Sequence, residues 1–396
     1  MELTTIHKNI KLLSMASSRE DYFPKQTFEI GLDNDKNGIF KWFDPDNNFP
    51  EIVINSVRKG TTLESILSED LVYKTGSGFN TNDSAFSNYL NKEVVNIRKQ
   101  NFKTVFENTN DHYNKLGNVF IELIFTEDLQ LISNETIQPQ KVRLKKDKKS
   151  VWITSDWMHF NKDKSLSLPL YPNMKKFRDG GVSYLKSVYH IKDEALGFDH
   201  YGINEKMIES LLLNEKEHGR NEWQNSQIKN GFKKDFFLVT DFPLNEKEKK
   251  KNDLAFSKKS GADNAGGVET IEAEGATLVP AQQTYDFDFT KDDTSSQLFL
   301  KWGMPKSLLG IKGDNIFSAE QIESDYDQYL PKVEKQQVYL LTEFNKIFDA
   351  HTKFNTSDVN VINTPPSIIL QNYMEHMTEE QKNKVIEKVF KRYGID

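Results

Sequence analysis

From Ser84 to Leu116 the apolar residues Phe86, Leu90, Val94, Ile97, Phe102 and Val105 recur at helical spacing, which predicts one or two amphipathic helices. Beyond Gly117 the period shortens. Val119–Phe125 and Leu129–Ile132 read as strands joined by a tight turn, and Lys141–Leu144, Ser150–Thr154 and Ser187–Ile191 as further short strands. Loops with Pro169, Pro172, Gly180 and Gly181 separate them, so 117–200 is expected to be mainly β. At Tyr201-Gly-Ile-Asn204 the helical period returns, with Asn204 as N-cap and Glu205 in the first turn. This helix should run to about Ile228 and stop at Asn230-Gly231. Its first half carries an apolar stripe of Met207, Ile208, Leu211 and Leu212; its second half is polar apart from Trp223. A helix half without an apolar face is either solvated or packed polar-to-polar against copies of itself.

Further on, Phe236–Thr240 predicts a strand and Asn245–Ser260 a charged helix with only Leu254, Ala255 and Phe256 to bury. Gly261–Gly267 reads as a loop, and Val268–Ile271 with Ala276–Val279 as a hairpin about Glu274-Gly275. A short helix then runs to Trp302. The strongest local signal comes next: Ser318 and Gln321 form a capping box. Behind it come Ile322, Tyr326, Tyr329, Leu330, Val333, Val338, Leu341, Phe344 and Phe348, about thirty residues of amphipathic helix. Pro331 sits near its middle and should kink or interrupt it. Past Asn355 a Pro365-Pro366 break precedes a helix at Glu379–Arg392. The first sixty residues look irregular; Glu51–Val57 fits a short strand or a helical turn, and the pattern leaves both open.

Composition narrows the picture. A chain of 396 residues makes two or three structural units. Hydrophobic residues are 37% and charged residues 28%, so the core should be thin and stability shared across subunit interfaces; 27 Phe nonetheless exclude a disordered chain. The net charge of −7 excludes nucleic-acid wrapping by bulk neutralisation, so any contact with DNA or RNA has to be local. Cys is absent, which removes disulfides, thiolate metal sites and thiol nucleophiles together and fits a reducing compartment. Neither a bilayer-spanning run nor a secretory leader is visible, and the expectation is a soluble protein made in a cytoplasm.

Candidate chemistry is sparse. Gly76-Ser-Gly78 and Gly310-Ile-Lys-Gly313 lack the rest of a phosphate-binding loop, which argues against an ATPase. His190 and His200 are the closest His pair in the β region, without metal-ligand spacing. The most enzyme-like cluster is Asp286 and Asp288 with Asp292 and Asp293: alternating carboxylates on one strand face could present two metals, as in a nuclease. The same pattern is produced by water-facing Asp side chains followed by an acidic helix start. The lysines from Lys247 to Lys259, diluted by Glu246, Glu248 and Asp253, read as a solvated helix face, as do Lys382, Lys384, Lys388, Lys391 and Arg392. The residues alone describe a mixed α+β protein suited to self-assembly, with no cofactor, no metal and no catalysis expected.

Five segments, in order, resemble the portal proteins of tailed bacteriophages, the HK97-like portal family. They are Tyr113-Asn-Lys-Leu-Gly-Asn-Val-Phe-Ile-Glu-Leu123; Val188-Tyr-His-Ile-Lys192 with Asp199-His-Tyr-Gly-Ile-Asn204; Gly261-Ala-Asp-Asn-Ala-Gly266; Trp302-Gly-Met-Pro-Lys-Ser-Leu-Leu-Gly310; and Ser318-Ala-Glu320 leading to Leu330-Pro331. The resemblance implies a portal fold: a wing (1–203), a long stem helix (204–230), a small α/β clip (231–288), a second stem helix (289–303), a tunnel loop (304–317), a kinked wing helix (318–350) and a C-terminal wing with a short helical crown (351–396). It implies a homo-oligomeric twelve-fold ring at one capsid vertex of a virion, assembled in the host cytoplasm. Double-stranded DNA would pass through it without sequence specificity, and the major capsid protein, a head-tail adaptor and the terminase large subunit would dock on it. It also implies that Lys306, Lys312, Asp314 and Asn315 face DNA in the tunnel loop, that Pro331 makes the kink, and that Lys247, Lys249, Asn264 and Glu269 sit on the adaptor-binding clip. A ring of acidic subunits would repel DNA from its wall and keep it sliding, with a few loop lysines making exchangeable contacts. The competing readings are a metal-dependent nuclease built on Asp286 and Asp288, and a non-portal phage head or adaptor protein.

Overall fold

The structure, a computed structural model, describes residues 38–40, 42, 47–157, 159–194, 200–229, 236–240, 276–280, 293–309 and 318–363, with isolated positions at 247, 365, 366 and 378. The chain divides into two units, Met1–Leu212 with Gln297–Asp396 and, inserted between them, Leu213–Ser296. It is a mixed α+β protein.

The first unit opens with two helices, α1 (Phe49–Lys59) and α2 (Thr61–Thr75). Glu51–Val57 therefore resolves as helix. Pro50 occupies the first turn, where its missing N–H is harmless, and Val53 and Val57 are buried one turn apart. A short strand β1 (Gly78–Asn80) leads to α3 (Ser84–Asn91) and α4 (Phe102–Leu116). Asp83 and Asn101 cap these helices, accepting from Ala85 N and Phe86 N and from Thr104 N. Of the one or two helices expected here the structure makes two, and between them Val94 and Ile97 are 61% and 85% exposed. There Asn96 Oδ1 accepts from the backbone of Arg98 and Gln100 and closes a turn in place of a helix.

Two antiparallel sheets come next. The larger is made of β2 (Asn118–Phe125) and β3 (Leu131–Ile137), and of a later hairpin; the smaller is β4 (Val142–Leu144), β5 (Ser150–Ile153) and β6 (Leu166–Pro169), paired in that order. The later hairpin is β7 (Lys175–Asp179) and β8 (Val182–Lys192), which gives the larger sheet the order β3-β2-β8-β7. Leu129 takes a φ of 62° in the β2–β3 turn, so the second strand starts at Leu131 rather than at Leu129 as the pattern predicts. β7 escaped the pattern because Lys175-Lys-Phe-Arg-Asp179 does not alternate: it is an edge strand with four of its five residues exposed.

Helix α5 (Glu205–Lys229) starts in the first unit and runs into the second. The second unit pairs β9 (Phe236–Thr240) antiparallel with β10 (Ala276–Pro280), Leu238 opposite Leu278. The strand at Ala276 is as expected, but its described partner is β9; the expected partner at 268–271 and the helix at 245–260, Lys247 excepted, lie outside the described residues.

The chain returns through α6 (Thr294–Trp302) to α7 (Ala319–His351), and β11 (Asn360–Ile362) pairs with β1. Helix α7 continues through Pro331 without interruption. Ser318 caps it, accepting from Gln321 N at 3.2 Å, but Gln321 donates onward to Asp325 at 2.9 Å, so the reciprocal half of the capping box is not made by that side chain. The core lies between α3, α4, α7 and one face of β2. Phe79, Phe86, Phe102, Phe106, Phe344 and Phe348 interlock there, Phe102 edge-on to Phe344 at 4.9 Å. Val338, expected inward, is 60% exposed, while Leu340 and Ile347 are buried. Gln337 takes the inward place beside it, donating to the carbonyls of Tyr73 and Lys74 and to Asn363. Among the described residues no helix is long and apolar enough to cross a membrane.

Candidate functional site

The region of interest is where the chain leaves and re-enters the first unit. At the root of α5, Gly117 ends α4 in the left-handed conformation (φ 64°, ψ 16°), its N–H donating to Tyr113 O at 2.8 Å. Gly202 packs against it so closely that a Cβ would stand 2.3 Å from Gly117 O and 2.4 Å from Asp193 N. Asn118 binds both sides of this contact, donating to Gly202 O at 2.6 Å and accepting from Gly202 N at 2.8 Å. Its Oδ1 also meets His190 Nε2 at 3.0 Å. An amide oxygen only accepts, so Nε2 carries the proton. The His190 ring stacks on Phe120 at 4.4 Å, and burial holds its pKa down to about 3, leaving the imidazole neutral. Asn204 completes the root: its Oδ1 accepts from Lys206 N at 3.1 Å and its Nδ2 donates to Asn114 O at 2.6 Å.

The returning helix is fixed beside this root. Trp302 Nε1 donates to Ser210 Oγ at 2.9 Å, and Lys301 pairs with Glu209. Met207, Ile208 and Leu211 of α5 and Leu298, Phe299 and Trp302 of α6 are buried. Gly303 (φ 62°) ends α6 in a Schellman motif, with Gly303 N to Leu300 O at 3.1 Å and Met304 N to Phe299 O at 3.2 Å. Residues Lys306–Leu309 then form a 3₁₀ turn, with Ser307 and Leu308 buried and Ser307 Oγ donating to Asp325 Oδ2 of α7 at 2.5 Å. Of the segment 304–317 that the resemblance implies as a tunnel loop, residues 304–309 are described. The Ser307–Asp325 bond and the buried Met304 and Leu308 dock them against α7. Lys332 Nζ closes the turn, donating to Gly303 O at 3.1 Å.

On either side of Pro331, α7 is tied down by a buried polar network. Tyr329 donates to Asp70 Oδ1, and Asp70 Oδ2 pairs with Lys74 Nζ at 2.6 Å and accepts from Asn114 Nδ2 at 2.8 Å. Lys74 donates to Asn114 Oδ1 at 2.9 Å, and Gln336 to the same oxygen at 3.0 Å. Burial and the Asp70 carboxylate drive the Tyr329 hydroxyl pKa far upward, so it stays a donor at every physiological pH.

Of the residues singled out from the sequence, Lys306 is exposed on the 3₁₀ turn, its Nζ 5.6 Å from the Phe299 ring centroid. Pro331 is exposed in mid-helix and Lys247 is exposed and helical. Lys312, Asp314, Asn315, Lys249, Asn264, Glu269, Asp286, Asp288 and Asp292 lie outside the described residues. His190 and His200 do not converge on a metal: the first is committed to Asn118 and the second stacks on Phe40 at 3.7 Å. Among the described residues no His, Asp and Glu group could hold an ion. What sequence spacing missed is a lysine cluster at the helix roots. Burial, then the charge of Lys74, lowers the pKa of Lys206; Asp70 opposes the shift, and Lys332 and Lys301 add to it. These residues are far apart in the chain, and only the fold brings them together. What the arrangement does is hold two helix roots together.

No family model matches the chain. A stretch of 153 residues is 26% identical to a protein of Rickettsia bellii (strain RML369-C) described as uncharacterized, covering 37% of this chain and 40% of that relative. In structure the chain is similar, at 14% identity, to a chain from the neck of a native gene transfer agent particle computed with C12 symmetry (TM-score 0.47, 85% of this chain and 93% of that one). It is also similar to one from the neck of an empty particle computed with C6 symmetry (TM-score 0.44, 85% and 93%) and to one from the native virion of such a particle (0.43, 86% and 89%), again at 14% identity. Likeness at that level assigns neither a fold nor a function.

Proposed function

We propose that the chain is a structural subunit of a phage-like particle, a portal subunit that forms a ring around translocating double-stranded DNA, and that it is not an enzyme. One observation carries the reading. Four of the five segments that resemble portal proteins meet in a single assembly: Gly117-Asn118, His190 with Gly202–Asn204, Trp302–Leu309, and the capped start of α7. The fifth, at 261–266, lies outside the described residues. Each segment does mechanical work there, pinning the points at which a helix leaves for the inserted unit and a second helix returns. That order of helix, small β-containing unit and helix is compatible with the stem, clip and stem that the resemblance implies. In this reading the polar far half of α5 packs against copies of itself, and Lys206, Lys301, Lys306 and Lys332 give weak, exchangeable phosphate contacts that position DNA without reading its sequence. The capsid protein, adaptor and terminase dock elsewhere on the ring.

Light scattering on the purified chain with negative-stain images of the same peak tests this directly. Rings of about a dozen subunits with a central hole are expected. A monomer that cleaves plasmid DNA with added metal, and loses that activity in Asp288→Ala, would replace the portal reading by the nuclease one. Within the ring, Lys306→Glu with Lys312→Glu is expected to impair packaging and genome retention while leaving assembly intact; unchanged packaging would remove these lysines from the DNA path.

A further inference from the structure

Charge is distributed very unevenly along this chain. Residues 140–192, which build β4 to β8, hold thirteen Lys and Arg against four Asp and Glu, a surplus of nine in a chain whose net charge is −7. The remainder of the chain is therefore at −16. Lys148, Lys149, Lys162, Lys164, Lys175 and Arg178 are all exposed, and none has an ion-pair partner among the described residues. They do not merely share a segment. Lys145 follows β4, and its Nζ lies 3.9 Å from the centroid of the Trp152 ring on β5 and 2.5 Å from Ser167 Oγ on β6; burial lowers its pKa, the Asp147 charge opposes this, and the charges of Lys175 and Lys162 add to it. Lys162 precedes β6 and Lys175 begins β7; Leu170, just after β6, bridges to Val188 of β8, the strand that pairs with β7, so the basic residues of the small sheet adjoin those on the edge of the large one. The segment's acids are Asp147, which accepts from the backbone of Lys149 and Ser150, Asp156, which meets His159, and the exposed Asp163 and Asp179; the neighbouring Glu127 and Glu122 are paired with Lys176 and Lys186.

We propose that this β face is a second nucleic-acid contact, binding the phosphate backbone of duplex DNA without sequence specificity. It is distinct from the helix-root lysines and does not depend on the ring reading. Three arguments select that partner. A patch dominated by lysine is unlike a protein–protein interface core, where lysine is depleted and apolar anchors are needed. The half-exposed aromatics that could stack on bases are already capped by cations, Trp152 by Lys145 and Trp157 by Arg143 at 4.8 Å, which disfavours single strands. A four-residue strand spans about 13 Å, and duplex DNA carries one charge per about 1.7 Å of axis, so several phosphates fall within reach of the patch.

The competing explanation is that edge-strand lysines block sheet-to-sheet aggregation. Charge reversal separates the two, because glutamate protects an edge as well as lysine does. The full chain would be titrated into a fluorescently labelled random-sequence duplex, with circular dichroism confirming the fold of each variant. Four phosphate contacts predict an affinity loss of about a hundredfold between about 50 and about 200 mM salt. The triple variant Lys162→Glu, Lys164→Glu, Lys175→Glu is expected to abolish measurable duplex binding, and the milder Lys→Gln set to flatten the salt slope by about three. Reversal of Lys306 and Lys332 should leave this binding in place. If the triple variant binds as wild type does, or if poly-glutamate displaces the wild type as well as DNA does, the proposal fails. If instead only the Lys306 and Lys332 reversal removes binding, the β face is discarded while the portal reading stands.

Discussion

The two halves of α7 are held by opposite means. Beyond Gln336 and Gln337, whose side chains still donate to Asn114 and to the end of α2, the helix buries Leu340, Leu341, Phe344, Ile347 and Phe348 in the Phe-rich core, where the contact is non-directional and apolar. Before and around Pro331 it is fixed by Tyr329 on the Asp70–Lys74–Asn114 network and by Asp325 on Ser307. Apolar packing tolerates small sliding; a satisfied buried network tolerates almost none, because any displacement strands a charge. The helix is thus anchored softly at one end and in strict register at the other, and the strict end is the one that meets the helix roots.

The contrast can be broken in order of effect. Phe344→Ala should destabilise the first unit by about 3–5 kcal/mol, read as a drop in Tm. Asp70→Ala should lose about 3 kcal/mol by leaving the Lys74 charge buried and unpaired. Adding Lys74→Met to Asp70→Ala should then recover part of that loss. A double-mutant cycle showing simple additivity would mean the pair is not coupled. Tyr329→Phe, which removes one donor to a carboxylate, should lose about 1.5–3 kcal/mol and leave the Phe core untouched.

The smallest effect concerns pH. Burial lowers the pKa of His112 to about 4, against about 6.5 unfolded, and its Nδ1 is buried without a partner. Between those values the unfolded chain binds the proton and the folded one does not. Stability is therefore complete above about pH 6.5 and falls as pH drops towards 4, by up to about 1.4 kcal/mol per pH unit. His190, held neutral to about 3, adds the same slope over a wider window. His112→Leu should raise stability at neutral pH by about 1 kcal/mol and reduce the acid slope; an unchanged slope would mean that His112 is not neutral in the fold.

The sequence announced elements better than it announced contacts. The helix at Ser318, the strand at Val119 and the Asn204 cap were legible because period and capping chemistry are local. β7 was not, because an edge strand of exposed residues carries no apolar alternation; β6 alternates at Leu166-Ser-Leu168 but was hidden by Pro169, which reads as loop; and Val338 misled because a buried Gln337 took the inward place. Of the site, Gly117, Asn118, His190 and Gly202 stood out as residues of a resemblance, but nothing in their spacing said that they touch. The helix-root lysines carried no signal at all, since spatial convergence over more than a hundred residues leaves no periodic trace.

The bond between Trp302 and Ser210 has a consequence for how this protein can change over generations. It places the departure and return of residues 213–296 side by side in the first unit. Closing a loop whose ends already meet depends only weakly on what lies between, about 0.6 kcal/mol for each doubling of length. The insertion therefore behaves as an exchangeable cassette in a fixed socket, free to drift in length and composition, or to be traded for another, while the host unit keeps its fold.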